Sequence, residues 1–315
     1  MLLTDYFRYP KDNTWDIAKL CGVEHGTIRL PEDGRFDYCD ISHWKKVYDD
    51  FCDFGIKPII IEPMPNELHD HIKAGDEKRD ECIEKVIKML PVMDELDIRT
   101  ICFNWMAHVG WYRSSSTIPE RGGALVTGFD MSEYVPTEHA ISENRLWDNY
   151  EYFIKAVLPT AEKHGIKLAL HPDDPPRSLG NVCRIMTSLD NIKKAVYGIC
   201  QSDALGVTMC QANFHIMGED LNKVIPELAE KIFFVHFRNT TGNIDKFRET
   251  FHDNGDLPMA HLLKLYADNG VDVPVRVDHV PTMPMEQSVN QGYDALGRFF
   301  AIGYLKGIIE AVCGK

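Results

Sequence analysis

No apolar run in these 315 residues approaches the roughly 18 that cross a membrane. The first residues, Met1–Leu2–Leu3–Thr4–Asp5–Tyr6, lack the basic-then-apolar plan of a secretory leader. No C-x-x-C pair occurs among the nine cysteines. Their odd number, and the place of Cys102 inside an apolar run, suit reduced thiols better than a disulfide framework. The expectation is a soluble cytoplasmic protein. Blocks of like charge, low-complexity tracts, internal repeats and a linker to a second domain are also missing, so residues 1–315 read as one domain. A formal charge of −14 leaves no basic face for duplex nucleic acid. Neither nucleic acid nor membrane is expected as a partner; a small molecule is, with a homodimer as the assembly to test for. The acidic balance does not exclude a small anion, because a bound dication and a few arginines invert the field locally.

What is present is an alternation. Short apolar runs at 3–7, 26–30, 57–62, 99–104, 167–171, 205–210, 232–237 and 273–278 read as strands. Helical spacing fills 41–54, 76–96, 142–164, 188–199, 220–231 and 258–268, and the apolar positions between Phe299 and Val312 read as one more core-facing helix. Gly55, Gly165 and Gly270 stand where a helix ends and a strand is about to begin. Strand and helix alternating eight times predicts a (β/α)8 TIM barrel. The longest excursion follows the fourth strand. Its first part, about 106–134, is rich in Gly, Ser, Pro and aromatics, and reads as a long βα loop over the barrel mouth that closes on substrate.

Four consecutive runs end on a residue that can bind a metal: His171, Cys210, His236 and Asp278. Neighbouring strand ends ring one mouth, so these four are predicted to converge there. A thiolate argues against Mg²⁺ and Ca²⁺; the set suits Mn²⁺ or Fe²⁺ foremost, with Co²⁺ or Zn²⁺ tolerated. His279 follows a proposed ligand directly, and the strand-end turn is expected to swing it into the mouth. Tyr293 precedes the last helix. Arg8 and Arg29 close the first two strands, Asn104 the fourth, and Arg238 and Asn239 follow His236. Arg8, Asn104, Arg238 and Asn239 are the expected substrate contacts, since guanidinium forks onto carboxylate. His69 and His71 read as a polar rim loop, and Gly122–Gly123 lacks the strand–helix context of a phosphate loop.

Taken together, Phe7–Arg8–Tyr9, Ile61–Glu62–Pro63–Met64–Pro65, the run from Ile98 to Met106, His171–Pro172–Asp173–Asp174–Pro175–Pro176, Met209–Cys210, His236–Phe237–Arg238–Asn239, Phe251–His252, Gly255–Asp256, Asp278–His279 and Gly292–Tyr293 resemble the D-mannonate dehydratase family. The similarity covers nearly the whole chain. It implies a xylose-isomerase-like barrel, the four metal ligands named above, and acid–base roles for His279 and Tyr293. Three stretches depart from the family pattern: Gln211–Ala212–Asn213–Phe214–His215 after the metal cysteine, the shortened stretch from Phe251 to Asp256, and the loop from Val280 to Glu286. They are expected to alter the pocket wall, and so the sugar acid accepted, while leaving the metal set intact.

The chemistry so implied removes the proton next to a carboxylate and expels the neighbouring hydroxyl as water, giving a 2-keto-3-deoxy sugar acid in hexuronate catabolism. A dication serves it as a Lewis acid, and one group must take a proton while another gives one. Two other readings remain open at this point: a metal-dependent sugar or sugar-acid isomerase or epimerase, and a non-catalytic paralogue that binds metal or sugar acid.

Overall fold

The computed structural model describes residues 1–288 and 290–314. Its strands are β1 (Leu2–Phe7), β2 (His25–Ile28), β3 (Lys57–Ile61), β4 (Thr100–Phe103), β5 (Ser115–Pro119), β6 (Leu125–Asp130), β7 (Lys167–Leu170), β8 (Leu205–Cys210), β9 (Ile232–Phe237), β10 (Thr240–Gly242), β11 (Lys246–Glu249) and β12 (Pro274–Val277). Eight of them close a parallel barrel in the order β1-β12-β9-β8-β7-β4-β3-β2. These are the eight runs predicted from the sequence, each shifted by at most a few residues at its ends.

The barrel helices form for local reasons visible in the chain. In Ile41–Phe54 the Asp40 side chain accepts from the Ser42 amide, and Gly55 ends the helix in the left-handed region at φ 85°. Trp44, Val47 and Phe51, spaced three and four apart, form its buried stripe, each side chain worth about 1.5–3 kcal/mol of burial. Three helices lie outside the expected ones, Asn13–Leu20, Asn66–Ala74 and Gln211–Ile216, and the last, Ala295–Cys313, begins before Phe299. The second corrects the reading of His69 and His71 as a rim loop. Its opening follows Pro65, and its buried face carries Leu68, His69 and Ile72.

The long excursion is more than a loop. Its strands β5 and β6 join β11 and β10 in a second, antiparallel sheet of order β10-β11-β6-β5. Gly122 and Gly123, both at positive φ, make the tight turn between β5 and β6. A further pairing, Leu125 with Thr282, ties this sheet to the loop after β12. The sheet has its own small core of Phe129, Leu179, Ile216 and Phe247. Strand β10 begins three residues after the barrel strand β9 ends, so the sheet is anchored to the mouth rather than hinged at a distance.

His69 is wholly buried against Phe103, Trp105 and Phe153, and neither ring nitrogen finds a partner. Burial, with Lys73 nearby, pushes its pKa well below the usual 6.5. Burial likewise pushes His252 down to about 4. Both rings are therefore neutral in the folded state, while the unfolded chain takes up protons below about pH 6.5. Stability present above that value is lost as the pH falls toward the folded pKa. The unfolding temperature should drop between pH 6.5 and 4, and His69→Phe, which fits the same aromatic slot, should drop less. Parallel curves for the two proteins would contradict this account.

Candidate active site and metal centre

Period-two alternation stacks the barrel interior in layers. Ile60, Cys102 and Phe234 form a buried cluster, and Thr208 donates to Cys102 Sγ and to the Ala169 carbonyl, both at 3.2 Å. Two residues further along the same strands stand Glu62, Asn104, His236, Cys210 and His171; Asp278 likewise lies two beyond Arg276. Register completes the arrangement. Cys210 sits directly across from His236 in β8–β9, and Arg276 across from His236 in β9–β12.

His171 Nδ1 donates to the Pro172 carbonyl at 2.6 Å, which leaves Nε2 as the acceptor, 3.2 Å from His236 Nδ1. With Cys210 Sγ these nitrogens form a trio whose donor atoms all lie within 4.8 Å of one another. Asp278 stands beside the trio, its Oδ2 3.6 Å from His236 Nδ1. Three of the four predicted metal residues are thus gathered at one point, with Asp278 next to His236. Two imidazoles, a sulfur and a carboxylate fit a transition dication, because the sulfur is soft and the nitrogens are borderline donors.

Glu62 and Arg276 surround this group and were not read from the sequence. Arg276 forks onto both Glu62 oxygens at 2.8 and 2.9 Å and donates to Asp278 Oδ1 at 2.9 Å. Glu62 Oε1 in turn lies 3.1 Å from His236 Nε2. Burial opposes charge on His236, but the Glu62 and Asp278 carboxylates outweigh both burial and Arg276, raising its pKa to about 9. Burial also opposes ionisation of Glu62 and of Asp278, yet the neighbouring cations hold both carboxyls well below the usual range. The signal for Glu62 was present: an acid closing the third strand, as Asp278 closes the eighth. A second grouping, Glu62 with Cys102 and His236, also lies within 4.8 Å, but the Arg276 fork already occupies both Glu62 oxygens.

Positive φ decides the place of His279. Strand alternation would turn it away from Asp278, but at φ 42° the chain swings it back over the mouth. Its Nε2 lies 3.5 Å from Asp278 Oδ2, and the Tyr293 hydroxyl lies 3.3 Å from both His279 Nε2 and Asp278 Oδ1. Burial, partly offset by Asp278 and Glu249, pushes His279 down to about 4. Burial and then Asp278 push Tyr293 well above its usual 10.0. A neutral imidazole that can accept and a phenol that keeps its proton therefore face each other.

The mouth opens into a cavity of ≈ 630 Å³ lined by Arg8, Asn104, Trp111, Arg276, His279 and Tyr293 among others. Arg8 reaches Asn290 Oδ1 at 3.1 Å across it, and Arg29 also lines it. Lys73, not singled out in the sequence, is a lining residue too, 3.4 Å from Asn104 Oδ1. Arg238 and Asn239 do not reach this wall, which corrects their assignment as substrate contacts. Asn239 Nδ2 donates to the carbonyls of His252 and Leu257, and its Oδ1 accepts the amides of Thr240 and Leu257. A Cβ on Gly255 would fall 2.1 Å from that Oδ1, so only glycine allows the approach.

Arg238 is fully buried, donating to Glu249 at 2.6 and 2.8 Å and to Asp174 and Asn213 at 2.9 and 2.8 Å. Arg113, from the segment over the mouth, forks onto Asp174 at 2.7 and 2.8 Å and reaches Glu249 at 2.7 Å. Two guanidiniums and two carboxylates thus balance one another and fasten the second sheet to the barrel. The wall expected from Gln211 to His215 also lies elsewhere. Gln211 bonds to the Arg238 carbonyl and Tyr266, and Asn213 to the Asp173 carbonyl. Those departures brace the clamp and do not line the cavity.

The family model for D-mannonate dehydratase (UxuA) matches residues 16–139 and 131–314. A mannonate dehydratase of Streptococcus equi subsp. zooepidemicus is 31% identical over 292 residues, covering 82% of this chain and 79% of that protein. The crystal structure of mannonate dehydratase from Streptococcus suis serotype 2 superposes with a TM-score of 0.91 at 26% identity, covering 100% of this chain and 95% of that one. An L-ribulose 3-epimerase structure, at 12% identity and a TM-score of 0.64 over 99% of this chain and 95% of that one, shares the fold alone.

Two measurements probe this site. Cys210→Ser should bind Mn²⁺ at least about tenfold more weakly; unchanged metal content in both Cys210→Ser and His236→Ala would remove the trio as a metal site. Arg113→Met leaves two buried carboxylates to one guanidinium and should cost about 3–5 kcal/mol, with faster proteolysis between residues 115 and 130. A variant as stable and as resistant as the parent would show that the clamp does not hold the sheet.

Proposed function

The chain belongs to the mannonate dehydratase family, and on that footing we propose that it converts D-mannonate to 2-keto-3-deoxy-D-gluconate and water at the barrel mouth. The observation that carries the reading is the meeting of two sets at the barrel mouth: the His171, Cys210 and His236 trio with Asp278 beside it, and the His279–Tyr293 pair, with His171, His236, Asp278, His279 and Tyr293 lining one cavity. We take Mn²⁺ or Fe²⁺ as the dication those four residues hold, because the sulfur disfavours hard cations. Once bound, it would supply Lewis-acid polarisation of the substrate carboxylate and its neighbouring hydroxyl.

This chain's own residues do the rest. Neutral His279 takes the C2 proton, for which its lowered pKa leaves the ring nitrogen free at neutral pH. The electron pair released moves between C2 and C3, the C3–O bond breaks, and Tyr293 gives its phenolic proton to the departing hydroxide, forming water. The enol that remains ketonises to the 2-keto acid. Arg8, Lys73 and Asn104, which all line the cavity, offer hydrogen bonds to the carboxylate and distal hydroxyls. Trp111 packs on the His279 ring, centroids 5.1 Å apart, and screens that face from water. With all nine cysteines unpaired, the cytoplasm is the compartment this reading assumes.

The test is to separate metal binding from turnover. His279→Asn should retain near-normal metal content and fold yet lose turnover by about a hundredfold or more, and Tyr293→Phe should lose a similar or smaller factor. If metal and activity fall together in His279→Asn, the histidine supports the site instead of reacting. Solvent-deuterium exchange at C2 with no ketodeoxy product would favour an epimerase.

A further inference from the structure

Beyond Trp111 the mouth continues into a second hollow of ≈ 610 Å³, lined by Trp111, Ser115, Ser116, Thr127, Ser288 and Gln291 among others. It shares Trp111, Asn290 and Gln291 with the active-site cavity, so the two hollows adjoin. The first cavity, at ≈ 630 Å³, already lies within the usual range for a small molecule, about 300–1,000 Å³. A lone six-carbon acid has no need of the second.

The two walls differ in kind. The cavity holding His171 and His236 carries arginines, a lysine and acids. Among the described residues of the second hollow the charged one is Arg113, whose charge is balanced by Asp174 and Glu249 through Nη1 and Nη2, while its buried Nε has no partner. What remains is hydroxyl, carboxamide and indole. Trp111 is 42% exposed, an unusual placement for so large an apolar ring, and it stands at the junction. Thr127 is only 2% exposed, and its buried hydroxyl has no hydrogen-bond partner. A buried hydroxyl left unsatisfied costs free energy that a ligand hydroxyl would recover. Hydroxyls, amides and an aromatic platform without free charge fit a neutral sugar ring, one face of which is apolar and whose edge is hydroxylated. One of the stretches departing from the family pattern, the loop after Asp278, leads into Ser288, Asn290 and Gln291 on this side.

We propose that this hollow is a subsite for a neutral glycosyl group carried on the far end of the sugar acid, so that the enzyme accepts glycosylated mannonates. The inference rests on the dehydratase reading for the acid-binding half of the ligand. The C2 proton and the C3 hydroxyl must stay free, so the glycosyl bond falls on a later oxygen, O4 to O6.

The experiment is calorimetry on the Mn²⁺-loaded protein with D-mannonate, its 4-O- and 6-O-glucosyl derivatives, and methyl glucoside. At least one glucosyl mannonate should bind about tenfold or more tightly than mannonate. Thr127→Val and Ser116→Ala should reduce that advantage while leaving mannonate affinity as it was. Methyl glucoside should compete with the glucosyl acid and not with mannonate. Equal or weaker binding of both glucosyl mannonates overturns the subsite, and so does saturable methyl glucoside binding without any gain for the linked acids. Failure of mannonate to turn over, with the affinity ranking intact, would count against the dehydratase reading and leave this one standing.

Discussion

Arg276 is the residue on which the mouth of this barrel depends. It is buried and joins Glu62 to Asp278 around His236. Charges taken out of water are tolerated only when paired and hydrogen-bonded, and here the pairing also aims the groups. With Arg276 holding Oδ1 of Asp278, Oδ2 is the oxygen left toward the imidazoles. With Glu62 at Nε2 of His236, the other ring nitrogen is the one turned toward His171. A ligand set oriented in this way does not wait for a cation to arrange it, which lowers the conformational cost of binding one.

A second set of buried charges does for the covering sheet what Arg276 does for Asp278 and His236. Arg113 comes from above and Arg238 from the barrel, and they share Asp174 and Glu249. Glu249 also lies 3.7 Å from His279 Nδ1. The clamp, His279 and the indole of Trp111 are therefore linked through a short chain of side chains. These buried ion pairs tie the sheet that walls the cavity to the barrel below it.

Much of this was legible in the chain. An apolar run that ends on a donor is visible without any structure, because burial dictates the run and solvent or ligand access dictates its end; the eight strands and His171, Cys210, His236 and Asp278 were found in that way. The covering sheet was legible only as a long segment, since β6 pairs with β11, more than a hundred residues away. No periodicity within the segment announces a partner at that distance. His279 was placed on the expectation that a turn would re-aim it, and the left-handed φ of 42° is that turn.

The sequence by itself determined the elements, their alternation and the strand ends on which His171, Cys210, His236 and Asp278 stand, because strand period and hydrophobic burial are local properties. Which charges meet was decided by the tertiary structure alone. Arg238 looked like a substrate contact and proved to be an internal counter-ion, while Glu62 and Arg276 looked like ordinary strand residues and proved to orient His236. A charged side chain reads the same in sequence whether it faces a ligand or another charge. Barrel closure sets β9 beside β12 and brings the second sheet down on the mouth, and only that fixes the low-dielectric neighbour each charge must find.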